Sequence, residues 1–131
     1  MTTYEGGCAC GAIRYQSRDE PQFSFHCLCR QCQRVTGAGH ASQFAVRADS
    51  VSIQGQLRFY KLTADSGNTV SSGFCPNCGS PVLKQSSGCP ELLFIHASTL
   101  DHPSLFKPQK VVWSSGKQPW DYVDPSLEVL R

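Results

Sequence analysis

Long apolar runs are missing from this chain. No segment approaches the ~18 continuous apolar residues of a membrane-spanning helix, so no membrane partner is expected. A large net charge is missing too, with 12 Lys plus Arg against 10 Asp plus Glu. So small a surplus gives little ground for a nucleic-acid partner. Internal repeats, low-complexity tracts and an interdomain linker are also absent, and 131 residues without them predict one domain over 1–131. The opening residues Met-Thr-Thr-Tyr-Glu lack the basic patch and apolar run of a secretory signal, so we expect a cytoplasmic protein in a reducing compartment.

What the chain does have is cysteine. Seven of its eight cysteines fall into three groups: Cys8-Ala9-Cys10, Cys27-Leu28-Cys29-Arg30-Gln31-Cys32 and Cys75-Pro76-Asn77-Cys78. Cys89 stands alone. In a reducing compartment such groups are metal ligands more often than disulfides. Cys-x-Cys and Cys-x-x-Cys suit this role, because each brings two thiolates to one point from a single turn. A disulfide framework is the alternative, and nothing in the sequence suggests the secretion it would need. Two zinc ions held by seven thiolates would also take the formal charge of +2 slightly negative, which removes the apparent basicity.

Between the cysteines the chain reads as many short strands. Ala12–Gln16 and Phe23–Phe25 alternate apolar and polar residues. Gly39–Arg47, Val51–Ile53, Leu57–Leu62, Pro81–Lys84 and Val111–Trp113 follow, with turn signals between them, and Thr69–Phe74 carries the chain to Cys75. Leu92–Ala97 is the most continuous apolar run, a central strand or a buried helical segment. One short helix is predicted over Arg30–Val35, closed by Gly37, with Arg30 and Arg34 on one face. The whole points to a mainly β sandwich or barrel-like domain.

Cys8, Cys10, Cys75 and Cys78 supply the four thiolates of a structural zinc site, which would close the segment 11–74. Cys27, Cys29 and Cys32 leave a fourth position. Cys89, His26, His40 or His96 would close it; water or substrate would keep it open, as in catalytic zinc sites. Spacing alone does not choose between them. Three thiolates make zinc a weak Lewis acid for carbonyls, but a substrate thiol can still lose its proton there. A thiol is therefore the expected substrate, with Arg30 and Arg34 placed to hold its carboxylates. A solvated helix face is the plainer role for at least one of these arginines. His96 reads as a satisfied core residue and His102 as an exposed turn residue. His26 and His40 are candidates for supporting or proton-carrying groups.

The sequence resembles the glutathione-dependent formaldehyde-activating enzyme family, also called the CENP-V/GFA family. The resemblance rests on Gly-Gly-Cys-Ala-Cys-Gly at 6–11, His-Cys-Leu-Cys-Arg-Gln-Cys at 26–32 and Thr36-Gly37. Phe-Cys-Pro-Asn-Cys-Gly at 74–79, Thr99-Leu100-Asp101 and the Trp113…Lys117…Trp120 stretch extend it. It implies a mainly β, Mss4-like (β-tent) fold with one short helix. It implies two zinc ions per chain, a structural one on Cys8, Cys10, Cys75 and Cys78 and a catalytic one on Cys27, Cys29 and Cys32 with an open position. The implied activity is a carbon–sulfur lyase joining glutathione and formaldehyde as S-(hydroxymethyl)glutathione. The competing expectation is a non-catalytic, zinc-stapled β domain that docks a protein or nucleic acid. Trp113 and Trp120 would serve that surface, although packing is their commoner role.

Overall fold

The computed structural model describes residues 2–130. Eleven strands form among them: β1 (Tyr4–Gly7), β2 (Arg14–Ser17), β3 (Phe23–Cys27), β4 (Ala41–Arg47), β5 (Val51–Gln54), β6 (Arg58–Thr63), β7 (Thr69–Phe74), β8 (Pro81–Ser86), β9 (Leu92–His96), β10 (Lys110–Val112) and β11 (Glu128–Leu130). The one α-helix, α1, spans Arg30–Thr36. The mainly β architecture with a single short helix is therefore what forms. Leu92–His96 settles as strand, and its buried Leu93, Phe94, Ile95 and His96 serve both faces of a sheet.

The strands divide into two sheets. β1, β2 and β5 make a three-stranded antiparallel sheet in the order β1-β2-β5. The other eight run β11-β10-β3-β4-β9-β8-β7-β6. That sheet is antiparallel except where β10 joins β3 and β11. Period-two alternation gives the large sheet two different faces. One packs Phe44, Val46, Leu83, Leu93 and Ile95 against Tyr4 and Tyr15 of the small sheet and against Ile13, just before β2. The opposite face carries Phe25, Cys27, Ala41, Ala45 and Phe94, with Cys32 of α1 packed onto it. The second face positions the site.

Thr99-Leu100-Asp101 clamps the two sheets together. Leu100 bridges to Gly6, the Thr99 hydroxyl lies 2.7 Å from Tyr15 Oη, and Arg14 donates to both oxygens of Asp101 at 2.9 and 2.5 Å. Gly6 is required at this approach, since a Cβ there would lie 2.1 Å from the Thr99 carbonyl oxygen. Burial pushes the Tyr15 hydroxyl up to about 12, so it remains a neutral hydrogen-bonding group.

Candidate metal centres and the adjoining cavity

The outer cysteines come from two turns at the seam between the sheets. Cys8 and Cys10 lie between β1 and β2, and Cys75 and Cys78 between β7 and β8. Backbone geometry aims the sulfurs. The Cys8 N–H bonds Ile13 O at 3.1 Å while Ile13 N–H returns to Cys8 Sγ at 3.2 Å. Gly79, at φ +80, lets its N–H close the second turn on Cys75 O at 2.8 Å. Asn77 donates to two sulfurs, from its backbone N–H to Cys75 at 3.3 Å and from Nδ2 to Cys10 at 3.2 Å. The Ser80 hydroxyl beside Cys78 holds that thiol down to about 5.

All four sulfurs lie within 4.8 Å of one another. Cys8 to Cys10 is 3.7 Å and Cys10 to Cys75 is 3.8 Å. A tetrahedron with zinc–sulfur bonds of ~2.3 Å has edges of ~3.8 Å. The donor set therefore fits a tetrahedral zinc by spacing as well as by chemistry. All eight cysteines are free thiols.

The inner group is built where a strand hands over to a helix. Cys27 ends β3 and α1 begins at Arg30. Cys29 is the N-cap, extended at φ −67 and ψ 153, and its sulfur accepts the Cys32 N–H at 3.3 Å. Gly37, in the left-handed region at φ 74, closes the helix with its N–H on Gln33 O. The Gln33 side chain is buried and donates to Leu28 O at 2.9 Å and Gly116 O at 2.8 Å. It thus ties the cysteine loop to the 3-10 turn over Ser114–Gly116.

The sulfurs of Cys27, Cys29 and Cys32 also lie within 4.8 Å of one another. Crowding stops them ionising independently. Hydrogen bonds from Cys27 and Cys32 hold the Cys29 thiol well below its ordinary range. Sharing protons with Cys29 raises Cys27, and bonds to Cys27 and then Cys29 raise Cys32. A central divalent cation would relieve this conflict by letting all three bind as thiolates, leaving a single net negative charge. Among the described residues no fourth His, Cys, Asp or Glu atom joins the group. Cys89 packs, half-buried, against the apolar cluster that contains Phe25, Phe94, Cys27 and Cys32, but its sulfur is not one of the group.

The three sulfurs open into a cavity of about 560 Å³. Arg30, Trp113 and the tip of the β6–β7 hairpin (Thr63, Ala64, Asp65, Ser66) form its walls. Gln43, Ser72, Lys84 and His96 line it from β4, β7, β8 and β9. Both arginines are exposed, but Arg30 is part of the lining and Arg34 is not. Arg30 also donates to Gln33 Oε1.

The histidines sort differently from their sequence distances. His26 adjoins Cys27 in β3, so its ring points to the other side of the sheet. There its Nδ1 is 2.9 Å from Ser42 Oγ, and its ring meets His40 edge-on with centroids 4.7 Å apart. Burial, followed by the neighbouring His40 charge, lowers the His26 pKa. His40 Nδ1 pairs with Asp121 at 2.8 Å. His102 is exposed, as expected. His96 is buried, as expected of a core residue, and it also lines the cavity. Trp113 and Trp120 depart from the packing role, being 51% and 69% exposed. Trp113 takes a left-handed backbone, φ 57 and ψ 45, at the cavity wall.

Gln33, Gln43, Ser72 and Lys84 are site residues that sequence reading passed over. For Gln43 a signal existed: it alternates with Ala41 and Ala45 on the face opposite Phe44 and Val46. Ser72, Lys84 and Gln33 carry no comparable local mark.

Fold and site together define a cysteine-rich, mainly β domain with two metal-competent thiol clusters, one of them beside a cavity. The chain belongs to the glutathione-dependent formaldehyde-activating enzyme (GFA) family, whose model matches residues 3–116. A protein of Halomonas elongata, provisionally named a glutathione-dependent formaldehyde-activating enzyme, is 29% identical over 112 residues. The match covers 82% of this chain and 71% of that protein. A crystal structure of a Rhodobacter sphaeroides protein superposes with a TM-score of 0.62 at 18% identity, covering 97% of this chain and 99% of that one. That likeness is one of fold.

Proposed function

We propose that the chain is a zinc-dependent carbon–sulfur lyase of the S-(hydroxymethyl)glutathione synthase kind, which joins a thiol to an aldehyde and releases the adduct reversibly. The carrying observation is the inner cluster: three sulfurs, no fourth ligand among the described residues, and an adjoining cavity of about 560 Å³. Family membership and the name of the Halomonas relative support glutathione and formaldehyde as the substrates.

In this reading Cys27, Cys29 and Cys32 hold the catalytic zinc, and Cys8, Cys10, Cys75 and Cys78 hold the structural one. Bound at the inner site, zinc supplies the acidity that makes a substrate thiol a thiolate at neutral pH. Arg30 at the cavity wall holds a glutathione carboxylate; the exposed Arg34 stays with solvent. The substrate sulfur then bonds to the aldehyde carbon, the carbonyl pair moves to oxygen, and that oxygen takes a proton.

The test is a metal count followed by a titration. Two zinc ions per chain are expected. With cobalt in the inner site, glutathione should change the thiolate–metal absorption, and exchange NMR should show adduct forming faster than in buffer. An inner site indifferent to glutathione would refute the function and favour a docking domain.

A further inference from the structure

Resting on that function, we propose that Gln43 and His96 form the pocket for the aldehyde oxygen, a role no sequence motif marks. The two are direct partners across β4 and β9. Both sit on the face that carries the cysteine cluster, and both line the cavity. They are 1% and 4% exposed, among apolar neighbours that include Ala41, Ala45 and Phe94. Polar groups so buried are ordinarily hydrogen-bonded. Yet Gln43 Oε1 has no partner among the described residues. The strand ladder does not use this side-chain oxygen, so a group entering the cavity is what it is free to bind.

The reaction supplies such a group. Addition turns a carbonyl oxygen, which only accepts hydrogen bonds, into a hydroxyl, which also donates one. A pocket for that oxygen needs a donor throughout and an acceptor at the end. A neutral imidazole offers one N–H, and Gln43 Oε1 is the unused acceptor beside it. Burial, and then the charge of Lys84, hold the His96 pKa down to about 4, so the ring is neutral at physiological pH. It therefore donates a hydrogen bond without acting as an acid. Lys84 lies on the same face, opposite Phe94, and brings a positive charge to the cavity lining. That charge stabilises the negative oxygen as it develops.

The electrons and protons balance simply. A lone pair of the thiolate forms the C–S bond, and the C=O π pair becomes a lone pair on oxygen. That oxygen takes one proton from water in the cavity. The thiol gave one proton to water on ionising, so none is consumed overall.

His96→Phe should lower the catalysed rate of S-(hydroxymethyl)glutathione formation, read by exchange NMR, by about 100-fold. His96→Gln keeps an N–H donor and should recover about tenfold of that loss. Gln43→Met, which keeps the volume and loses the amide, should lower the rate about tenfold. In each variant glutathione affinity at the cobalt-loaded inner site should stay within about twofold of wild type. An active wild type with unimpaired His96→Phe and Gln43→Met variants overturns the oxygen pocket and leaves the function standing. Glutathione affinity falling in step with rate overturns it too, because the residues then serve the thiol. A wild type that ignores glutathione removes both proposals. If Gln43→Met fails to fold, the contrast between the two His96 variants decides, since loss of packing alone would not be rescued by Gln.

Discussion

Replacing Cys75 by Ser should unfold the protein more readily than any single change at the inner cluster. Cys75 is completely buried, and its sulfur lies 3.8 Å from Cys10 in the other turn. A metal held by all four cysteines joins the β1–β2 turn to the β7–β8 turn across residues 11–74, 64 in all. Treated as a cross-link, closing a loop of that length is worth about 4 kcal/mol of lost unfolded-state entropy. Unfolding entropy of ~2.1 cal/mol/K per residue over this chain converts that loss to a fall in Tm of about 15 °C. Removing a buried ligand also leaves Cys8, Cys10 and Cys78 as an incomplete site, so the true fall should be at least this large. Circular dichroism melts of the zinc-loaded variant, with metal content measured on the same sample, give the answer. A Tm within about 3 °C of wild type, with one zinc lost, would show that the outer site does not staple the sheets.

The inner site should respond differently. Cys29→Ser removes a half-buried ligand at the start of α1 and should abolish thiol–aldehyde activity and one zinc, with Tm falling less than half as far as in Cys75→Ser. Ser keeps an oxygen for the N-cap, so the helix survives; comparing the two melts and zinc contents checks this. Gln33→Leu leaves Leu28 O without its side-chain donor and Gly116 O with only the longer bond from Gln118 Nε2 at 3.4 Å, and should cost about 1–3 kcal/mol in urea unfolding. His96 makes stability pH-dependent with a definite sign. Its folded pKa of about 4 lies below the unfolded value near 6.5, so the unfolded chain binds the extra proton between them. Its stabilising contribution is full above ~6.5 and falls as pH drops, reaching a loss of about 3 kcal/mol below ~4. Urea melts from pH 7 to 4 should be flatter for His96→Gln than for wild type; parallel curves would contradict the buried neutral imidazole.

Much of the fold is legible in the residues because its signals are local. Alternation in Phe23–Cys27, and the Gly37 stop after Arg30–Thr36, depend only on neighbours a few residues away. β1 and β11 escaped sequence reading for the opposite reason. Tyr4–Gly7 contains two glycines, and its strand exists because Arg14–Ser17 pairs with it. Glu128–Leu130 is exposed and pairs with Lys110–Val112, a contact no local pattern announces. His26 shows the same limit within the site. It adjoins Cys27, but strand alternation turns it away to Ser42 and His40.

Ligand chemistry is what the sequence by itself determined. Cys-x-Cys and Cys-x-x-Cys converge whatever the rest of the chain does, because one turn spans so few bonds, and their order identifies the family. The tertiary structure alone decided which groups face the inner sulfurs. Gln43, Ser72, Lys84 and His96 come from four strands, and only the register of the large sheet lines them along one cavity. Register is a property of paired strands far apart in the chain, and shifting one of them by a single residue would turn its side chain to the other face. The same nonlocal pairing left the Cys89 sulfur outside the group formed by Cys27, Cys29 and Cys32.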